Sequence, residues 1–354
     1  MFAYVGCYTT ADRNGHGTGI STYRMDAATG AWEHQNVLEG MTNPSFLAID
    51  PRQRFLYCVH GGSGQGVSSF AIAPSSGALT YLNTQPSGGT NPVHLSIHPG
   101  GTWTVVANYT GATVAMLPIA ADGTLGPATS VVELRGEPGP DPVEQPGPHP
   151  HDIPLDPSGQ FAIVPDKGLD RVFVFRLDTA HGKLVPTAQG SVQAKPGAGP
   201  RHAAFHPHAP FLYVINELDS TVAAYRFHAD SGELTQLQVT TSLPADFKER
   251  STGAEIALDP SGNHLYASNR GHDSIVIFAV DPNSGLLTTI GWEPTQGRQP
   301  RHFALDPAGS FLYAANQASD CITTFAIDQP RGTLKSTGQV VHTGSPVSIV
   351  FAGK

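Results

Sequence analysis

The chain has few charged residues and no long hydrophobic segment. Charged residues occupy only 14% of its 354 positions, and the formal net charge of −9 argues against nucleic acid or an anionic membrane surface as a partner. No run approaches the roughly 18 apolar residues that a membrane-spanning helix needs. A small anionic ligand stays compatible with this charge, because it requires only a local cluster of cations.

Cysteines are also scarce. The three, Cys7, Cys58 and Cys321, form no Cys-x-x-Cys pair and are odd in number. Two of them stand inside strand-like apolar runs, so we expect buried free thiols and neither disulfides nor a metal site. The N-terminal residues MFAYVGCYTT lack the basic start, the apolar stretch and the cleavage site of a secretory signal. These features predict a soluble, cytoplasmic protein.

Helical periodicity is missing, whereas turn-forming residues are abundant. No long stretch repeats its apolar residues with a period of 3.6. Glycine and proline number 39 and 30, and short runs of Val, Ile, Leu, Phe and Tyr recur between them. The sequence is therefore turn-rich without being disordered.

One pattern recurs along the chain. PRHAAFHPHAPFLYVINE from Pro200 and PRHFALDPAGSFLYAANQ from Pro300 both place an apolar run, an Asp-Pro or His-Pro turn and a second apolar run in that order. Each copy continues with a third run, in which apolar and polar residues alternate, and with a turn that leads into a fourth run. The marker dipeptides, spaced by 47 to 58 residues, are Asp50-Pro51, His98-Pro99, Asp156-Pro157, His206-Pro207, Asp259-Pro260 and Asp306-Pro307.

Four strands in about 50 residues, repeated, predict a β-propeller. A seventh unit is divided between the termini: FAYVGCYTT from Phe2 matches a second run, and SPVSIVFAG from Ser345 matches a first run. We therefore predict an all-β, seven-bladed β-propeller with four-stranded blades, formed as a single domain by residues 1–354. Its last blade is closed by the N- and C-terminal strands, which removes open sheet edges.

Positions at which the copies differ are the candidates for function. The first strand of a blade begins, and the second ends, at the same end of the propeller beside the central channel. Six residues before the marker proline, most copies have a small or apolar residue, but three have a cation or a histidine. The residue after the second strand is charged in three consecutive copies. The exceptional residues are His151, Arg201 and Arg301 at the first position and Lys167, Glu217 and Arg270 at the second.

Strand geometry requires none of these charges, and gathering them at one mouth costs desolvation. The pattern indicates a site for an anion with an acid/base group nearby. The alternative is an Arg–Glu ion-pair network that merely closes the channel.

The longest departure from the repeat is GEPGPDPVEQPGPHPHD, residues 136–152, which brings His149 and His151 to the same mouth. It either forms part of a pocket wall or is a tolerated surface insertion. The two histidines could bind a metal ion, but the further His and Asp residues of a metallohydrolase are missing, so we predict no metal site. GGSGQG from Gly61 lies at a blade turn and is a weak phosphate-loop candidate.

Three further histidines, His94, His202 and His302, share the repeat position that follows the first one discussed. Because side chains alternate along a strand, we expect them to face the opposite side and to hydrogen-bond between blades. A role at the pocket edge stays open for His202 and His302.

With these motifs in view, the chain resembles the seven-bladed propeller lactonase family. The resemblance covers nearly the whole chain and rests on YVGCYT, PHPHD, GPRH, NELDSTV, SNRGHDSI and QPRHFALDP. That family includes bacterial 6-phosphogluconolactonases and fungal carboxy-cis,cis-muconate cyclases. The resemblance implies a carboxylic ester hydrolase that opens a sugar 1,5-lactone, above all 6-phosphogluconolactone, without a metal or organic cofactor. It also implies catalytic roles for His151, Arg201, Glu217 and Arg270.

The partner that we expect is a small anionic sugar lactone, bound by Arg301, Lys167 and His149, on a monomer or weak homo-oligomer. Either Glu217 or His151 could be the base that activates water, with the other residue orienting it or acting as the acid. Two other functions stay open at this stage: a cycloisomerase acting on a carboxylated muconate, and a non-catalytic propeller that binds a protein or sugar.

Overall fold

The computed structural model describes residues 1–61 and 66–353. Most of GGSGQG, the weak phosphate-loop candidate, lies outside these residues. Within them the chain forms 27 strands and two short 3-10 helices, Ala11–Arg13 and Gln317–Ser319. Neither helix of this part of the chain has the length or the apolar character of a membrane span. All three cysteines are buried and free, as predicted.

The strands of the first half are β1 (Phe2–Cys7), β2 (Gly19–Met25), β3 (Trp32–Glu39), β4 (Pro44–Ile49), β5 (Phe55–His60), β6 (Gly66–Ile72), β7 (Leu79–Gln85), β8 (Pro92–Ile97), β9 (Trp103–Asn108), β10 (Thr113–Pro118), β11 (Ser130–Glu133), β12 (Phe161–Asp166), β13 (Arg171–Asp178) and β14 (Lys183–Gln193). Those of the second half are β15 (Pro200–Phe205), β16 (Phe211–Asn216), β17 (Thr221–His228), β18 (Glu233–Thr241), β19 (Thr252–Leu258), β20 (His264–Arg270), β21 (Ser274–Val280), β22 (Leu287–Pro294), β23 (Pro300–Leu305), β24 (Phe311–Asn316), β25 (Cys321–Asp328), β26 (Thr333–His342) and β27 (Pro346–Ala352).

These strands form seven antiparallel sheets, the blades of a propeller, and the predicted fold is confirmed. The seventh blade has the order β27-β1-β2-β3, so the C-terminal strand is its innermost member. Strand β27 pairs with β1 from Phe2 opposite Ala352 to Cys7 opposite Pro346. The two ends of the chain therefore close the ring as the sequence predicted.

One blade departs from the four-strand pattern. Six sheets have four strands, but the sheet β12-β13-β14 has three. The chain that precedes β12 occupies the innermost place and makes only isolated bridges, Pro150 to Asp166 and Leu155 to Ala162. Pro154 stands where the other copies with a marker dipeptide have alanine or serine and lacks the N–H group that a regular ladder needs, so this segment is held irregularly. His151 lies on it.

Neighbouring blades are joined by a repeated hydrogen bond. In five blades a buried tyrosine on the second strand donates its hydroxyl to a glycine carbonyl in the next blade. For example, Tyr313 donates to Gly30 over 3.0 Å, and Tyr4 donates to Gly77 over 2.9 Å. Gly30 and Gly77 have φ values of 71° and 69°, a conformation that a residue with a side chain adopts only at a cost. The glycine in the turn between the third and fourth strands therefore serves both the turn and the contact between blades.

Deleting β27 is expected to abolish the folded state. The deletion removes the buried side chains of Val347 and Ile349 and leaves β1 as an open edge. A protein that ends at Gly344, before β27 begins, should be insoluble or lack a cooperative thermal transition. The matched control ends at Ala352, the last residue of β27. A β27 deletion with the thermal midpoint of the full chain would contradict closure by this strand.

Candidate active site

A cavity of about 430 Å³ opens at the end of the channel where the first strands begin and the second strands end. Most of the exceptional residues identified in the sequence lie close together here. Of the predicted site residues, the cavity walls include His151, Lys167, Glu217 and Arg301, together with Tyr8 and Tyr109. Arg201 lines a narrower part of the channel that His151 and Arg301 also line.

The start of most innermost strands contains a β-bulge. The register shifts between Pro200 and His202 on β15, and between Pro300 and His302 on β23. A bulge places one extra residue opposite the partner strand and so breaks the alternation of side chains. As a result Arg201 and His202 both line the channel, as do Arg301 and His302.

The expectation that these histidines face the opposite side is therefore wrong for His202 and His302, because the bulge breaks the alternation and places them on the channel side. The expected hydrogen bonding between blades is confirmed for His94 and His202. His94 Nε2 lies 2.9 Å from Asp152 Oδ1, and His202 Nδ1 lies 3.1 Å from Glu255 Oε1.

Glu217 is surrounded by cations. Its Oε1 lies 3.1 Å from Lys167 Nζ, and its Oε2 lies 3.0 Å from Arg201 Nε and 3.2 Å from Arg270 Nη2. Burial opposes the ionisation of Glu217, but Arg270, Lys167 and Arg201 outweigh it and hold the pKa of this carboxyl well below its usual range. Glu217 is therefore a permanent anion that gathers three positive charges. The ion-pair network exists, yet it leaves the cavity above it open.

The two arginines of this network differ in their relation to the cavity and the channel. Arg270 has a side chain that is largely shielded from solvent, donates to the carbonyl of Gly253 over 3.1 Å, and is not among the residues that line the cavity. Arg201 donates to the carbonyl of Ala254. Burial, with Arg270 and Arg301 nearby, lowers the pKa of Arg201 to about 9, so it stays charged at neutral pH.

The insertion at residues 136–152 contacts the site. Its Glu144 accepts a hydrogen bond from Lys167 Nζ over 2.7 Å, and its Gln145 donates to the carbonyl of Lys167 over 2.8 Å. Asp166 anchors the end of the insertion by accepting the N–H of His149 over 2.9 Å. The insertion thus fixes Lys167 in place from behind the wall.

His149 is brought near the mouth but does not line the cavity. Its ring stacks on Tyr109 with 4.3 Å between centroids and an interplanar angle of 6°. Burial lowers the pKa of His149. Tyr109, which lines the cavity, stands between His149 and the open space.

His151 is the titratable group best placed for proton transfer. It is buried, and its Nδ1 lies 3.2 Å from Nε2 of His202. Burial, followed by the charge of Arg201, lowers the pKa of His151 well below its usual value. The imidazole is therefore neutral at physiological pH. Among the described residues, its Nε2 has no hydrogen-bond partner.

Reasoning from the sequence missed Glu255 and Glu144. Glu255 occupies the repeat position at which other copies have His94, His202 and His302. An acidic residue in an innermost strand was therefore a usable signal of a functional residue. Glu144 lies in the irregular insertion, where no repeat position could single it out. No group of three or more His, Cys, Asp or Glu residues in the described ranges is arranged to hold a metal ion.

Comparison with known proteins gives a consistent result. The family model described as Lactonase, 7-bladed beta-propeller matches residues 2–351. The chain is 34% identical to the 6-phosphogluconolactonase of Bacillus subtilis over 301 residues, which cover 85% of this chain and 83% of that protein. It is 32% identical to the 6-phosphogluconolactonase of Formosa agariphila over 313 residues, 85% of each protein. A periplasmic gluconolactonase structure from Pseudomonas aeruginosa is 34% identical with a TM-score of 0.90, and 99% of each chain is covered.

Proposed function

The chain belongs to the seven-bladed β-propeller lactonase family, and from this we propose that it hydrolyses 6-phosphoglucono-1,5-lactone to 6-phosphogluconate. It is a carboxylic ester hydrolase whose substrate is a small anionic sugar lactone. The observation that carries the proposal is a neutral histidine, His151, beside a cluster of fixed cations in one open cavity. The cytoplasmic location expected from the N-terminal sequence stays a prediction.

Opening the lactone requires a nucleophilic water, a stabilised oxyanion and a proton for the departing ring oxygen. In our proposal Nε2 of His151 takes a proton from water as the water oxygen bonds to the lactone carbonyl carbon. The resulting imidazolium then gives that proton to the ring oxygen as the carbon–oxygen bond breaks. The acid product loses a proton to solvent, so atoms and charges balance.

Glu217 is a poor candidate for either proton transfer. Its three cation contacts hold it ionised, so it has no proton to donate and is a weak base. We propose that it holds Lys167, Arg201 and Arg270 together against their mutual repulsion. Arg201, which lines the channel beside His151, would stabilise the oxyanion with its fixed guanidinium donors.

The substrate phosphate is assigned mainly to Arg301. Lys167 is already paired with Glu144 and Glu217. Arg301 lines the cavity, lies 5.4 Å from the centre of the Tyr8 ring, and has no carboxylate partner among the described residues. An unpaired guanidinium in the cavity wall can bind a phosphate through two parallel hydrogen bonds.

Arg301→Ala is expected to raise KM for 6-phosphogluconolactone about 10-fold or more with little change in kcat, since one charge-assisted contact is worth about 1.5–3 kcal/mol. Steady-state kinetics should show no such rise for unphosphorylated glucono-1,5-lactone. Arg331→Ala is the matched control, because Arg331 pairs with Asp328 at an exposed turn of the same blade. An equal rise in KM for both lactones would contradict the phosphate assignment.

The function itself is tested with purified protein and three substrates: 6-phosphogluconolactone, glucono-1,5-lactone and carboxymuconate. We expect the phosphorylated lactone to be hydrolysed well above its spontaneous rate and in preference to the unphosphorylated one. Rates equal to the spontaneous background on both lactones would contradict the enzyme. Turnover of carboxymuconate alone would replace the lactonase with a cycloisomerase.

A further inference from the structure

A line of buried groups extends from His151 into the channel, away from the cavity. Nδ1 of His151 lies 3.2 Å from Nε2 of His202, and Nδ1 of His202 lies 3.1 Å from Oε1 of Glu255. All three side chains are buried and come from three consecutive blades. The bulge on β15, and a register shift between Gly253 and Ile256 on β19, bring His202 and Glu255 to the channel side.

The hydrogen-bond pattern of this line fixes one proton arrangement. An ionised carboxylate only accepts hydrogen bonds, so Nδ1 of His202 must donate to Glu255. In a neutral His202 the other nitrogen, Nε2, is then an acceptor, and it receives a hydrogen bond from Nδ1 of His151. The lone pair of neutral His151 is consequently on Nε2, the nitrogen with no partner among the described residues.

We propose that His202 and Glu255 are positioning residues that hold His151 in the tautomer with a basic Nε2 and stabilise its imidazolium during the reaction. The proposal rests on the proposed function only in assigning His151 as the base. The tautomer itself can be measured without any substrate.

The imidazolium form of His151 needs a stabilising anion on the side away from the cavity, because the charged groups near this residue are positive. Burial and the charges of Arg201, Arg301 and Lys167 all oppose a positive charge on its ring. The ring of Tyr109 packs edge-on against it at 5.5 Å and offers no compensating charge. On the far side, Glu255 also faces His302, whose Nε2 is 3.4 Å from Oε2. Asp152 is a second buried anion near His202, but it pairs with His94 and accepts the N–H of Ala203. Glu255 is the anion that the hydrogen-bonded line from His151 reaches.

The pH dependence gives a readout that loss of packing would not produce. The acid limb of kcat/KM reports protonation of the His151–His202 pair in the free enzyme. Without the Glu255 charge the imidazolium form is less favourable, so in Glu255→Gln this limb should move to lower pH by about one unit. The base is then also weaker, and the plateau rate should fall.

Two substitutions of His202 separate orientation from charge. In His202→Gln an amide oxygen can still accept from Nδ1 of His151, whereas in His202→Phe nothing can. We expect kcat to fall about 10-fold in the first and about 10²-fold in the second. His264→Gln is the matched control: His264 is buried, pairs with Asp259 over 2.9 Å, and lies at the other end of the blade that contains Glu255.

The decisive experiment is nitrogen NMR of histidine-labelled protein combined with these pH profiles. We expect wild-type His151 to carry its proton on Nδ1, and His202→Phe to show a mixture of tautomers. Glu255→Gln should shift the acid limb, while His264→Gln should leave both readouts as in the wild type. A wild-type His151 protonated on Nε2, or an unshifted limb in a folded Glu255→Gln protein, would overturn the proposal. If Glu255→Gln does not fold, the tautomer of His151 in the wild type and in the two His202 variants tests the proposal.

Discussion

Replacing His151 with alanine is expected to lower kcat about 10²–10⁴-fold, the usual contribution of a positioned acid or base. In the proposed mechanism the same imidazole takes the proton from water and returns it to the ring oxygen, so both halves of the reaction suffer. KM should change much less, because the cations that contact the substrate remain. The measurement is steady-state hydrolysis of 6-phosphogluconolactone, corrected for the spontaneous reaction.

His181→Ala is the control for this variant. His181 belongs to the same blade but is exposed at a turn, where it pairs with Asp178 over 2.8 Å. It should retain wild-type kinetics. A His151→Ala protein with wild-type kcat would show that the chemistry takes place elsewhere in the ring.

Replacing Glu217 with glutamine is expected to reduce both stability and activity. The variant leaves Lys167, Arg201 and Arg270 close together without their shared anion. Removing one partner of a buried ion pair costs about 3–5 kcal/mol of unfolding free energy. Activity should fall as well, because the arginine that stabilises the oxyanion loses its fixed position. Denaturant unfolding and steady-state kinetics measure the two losses.

The dependence of this stability loss on pH follows from the lowered pKa of Glu217. A carboxyl whose pKa is depressed by folding contributes stability that is complete above its unfolded value of about 4.3. That contribution is lost as pH falls toward the folded value. The difference in unfolding free energy between the wild type and Glu217→Gln should therefore be constant from neutral pH to about pH 5 and shrink below about pH 4.

Glu144→Gln provides the comparison for Glu217. Glu144 also pairs with Lys167, but it lies partly exposed at the insertion and contacts one buried cation only. Its replacement should cost much less, since partly exposed ion pairs contribute about 1 kcal/mol or less. Equal losses in the two variants would contradict the view that Glu217 is the organising anion.

The architecture could be predicted from the sequence because a propeller repeats one set of constraints. The Asp-Pro turn, the turn glycine and the tyrosine that bonds to it recur in register, and each has a local physical reason. The closing strand was recognisable because SPVSIVFAG supplied the one run missing from the N-terminal unit. The three-stranded blade was not foreseen, although Pro154 is visible in the sequence at a position where the other copies with a marker dipeptide have alanine or serine.

The residues of the site could be predicted only in part. Charged exceptions to the repeat located Glu217 and its cations, because nothing in a strand requires them. The partners of His151 were missed since simple alternation along β15 turned His202 away from the channel. A bulge depends on backbone pairing that a single sequence does not reveal, and it moved His202 and Glu255 behind His151.

In the proposed mechanism His151 catalyses lactone opening in this cavity without a bound cofactor. The most direct measurement compares the hydrolysis rate of 6-phosphogluconolactone in buffer alone, with wild-type protein dialysed against EDTA, and with His151→Ala at the same concentration. We expect a rate far above background for the dialysed wild type and a rate near background for the variant. Loss of the wild-type activity on dialysis, with recovery on adding a divalent metal, would contradict the claim.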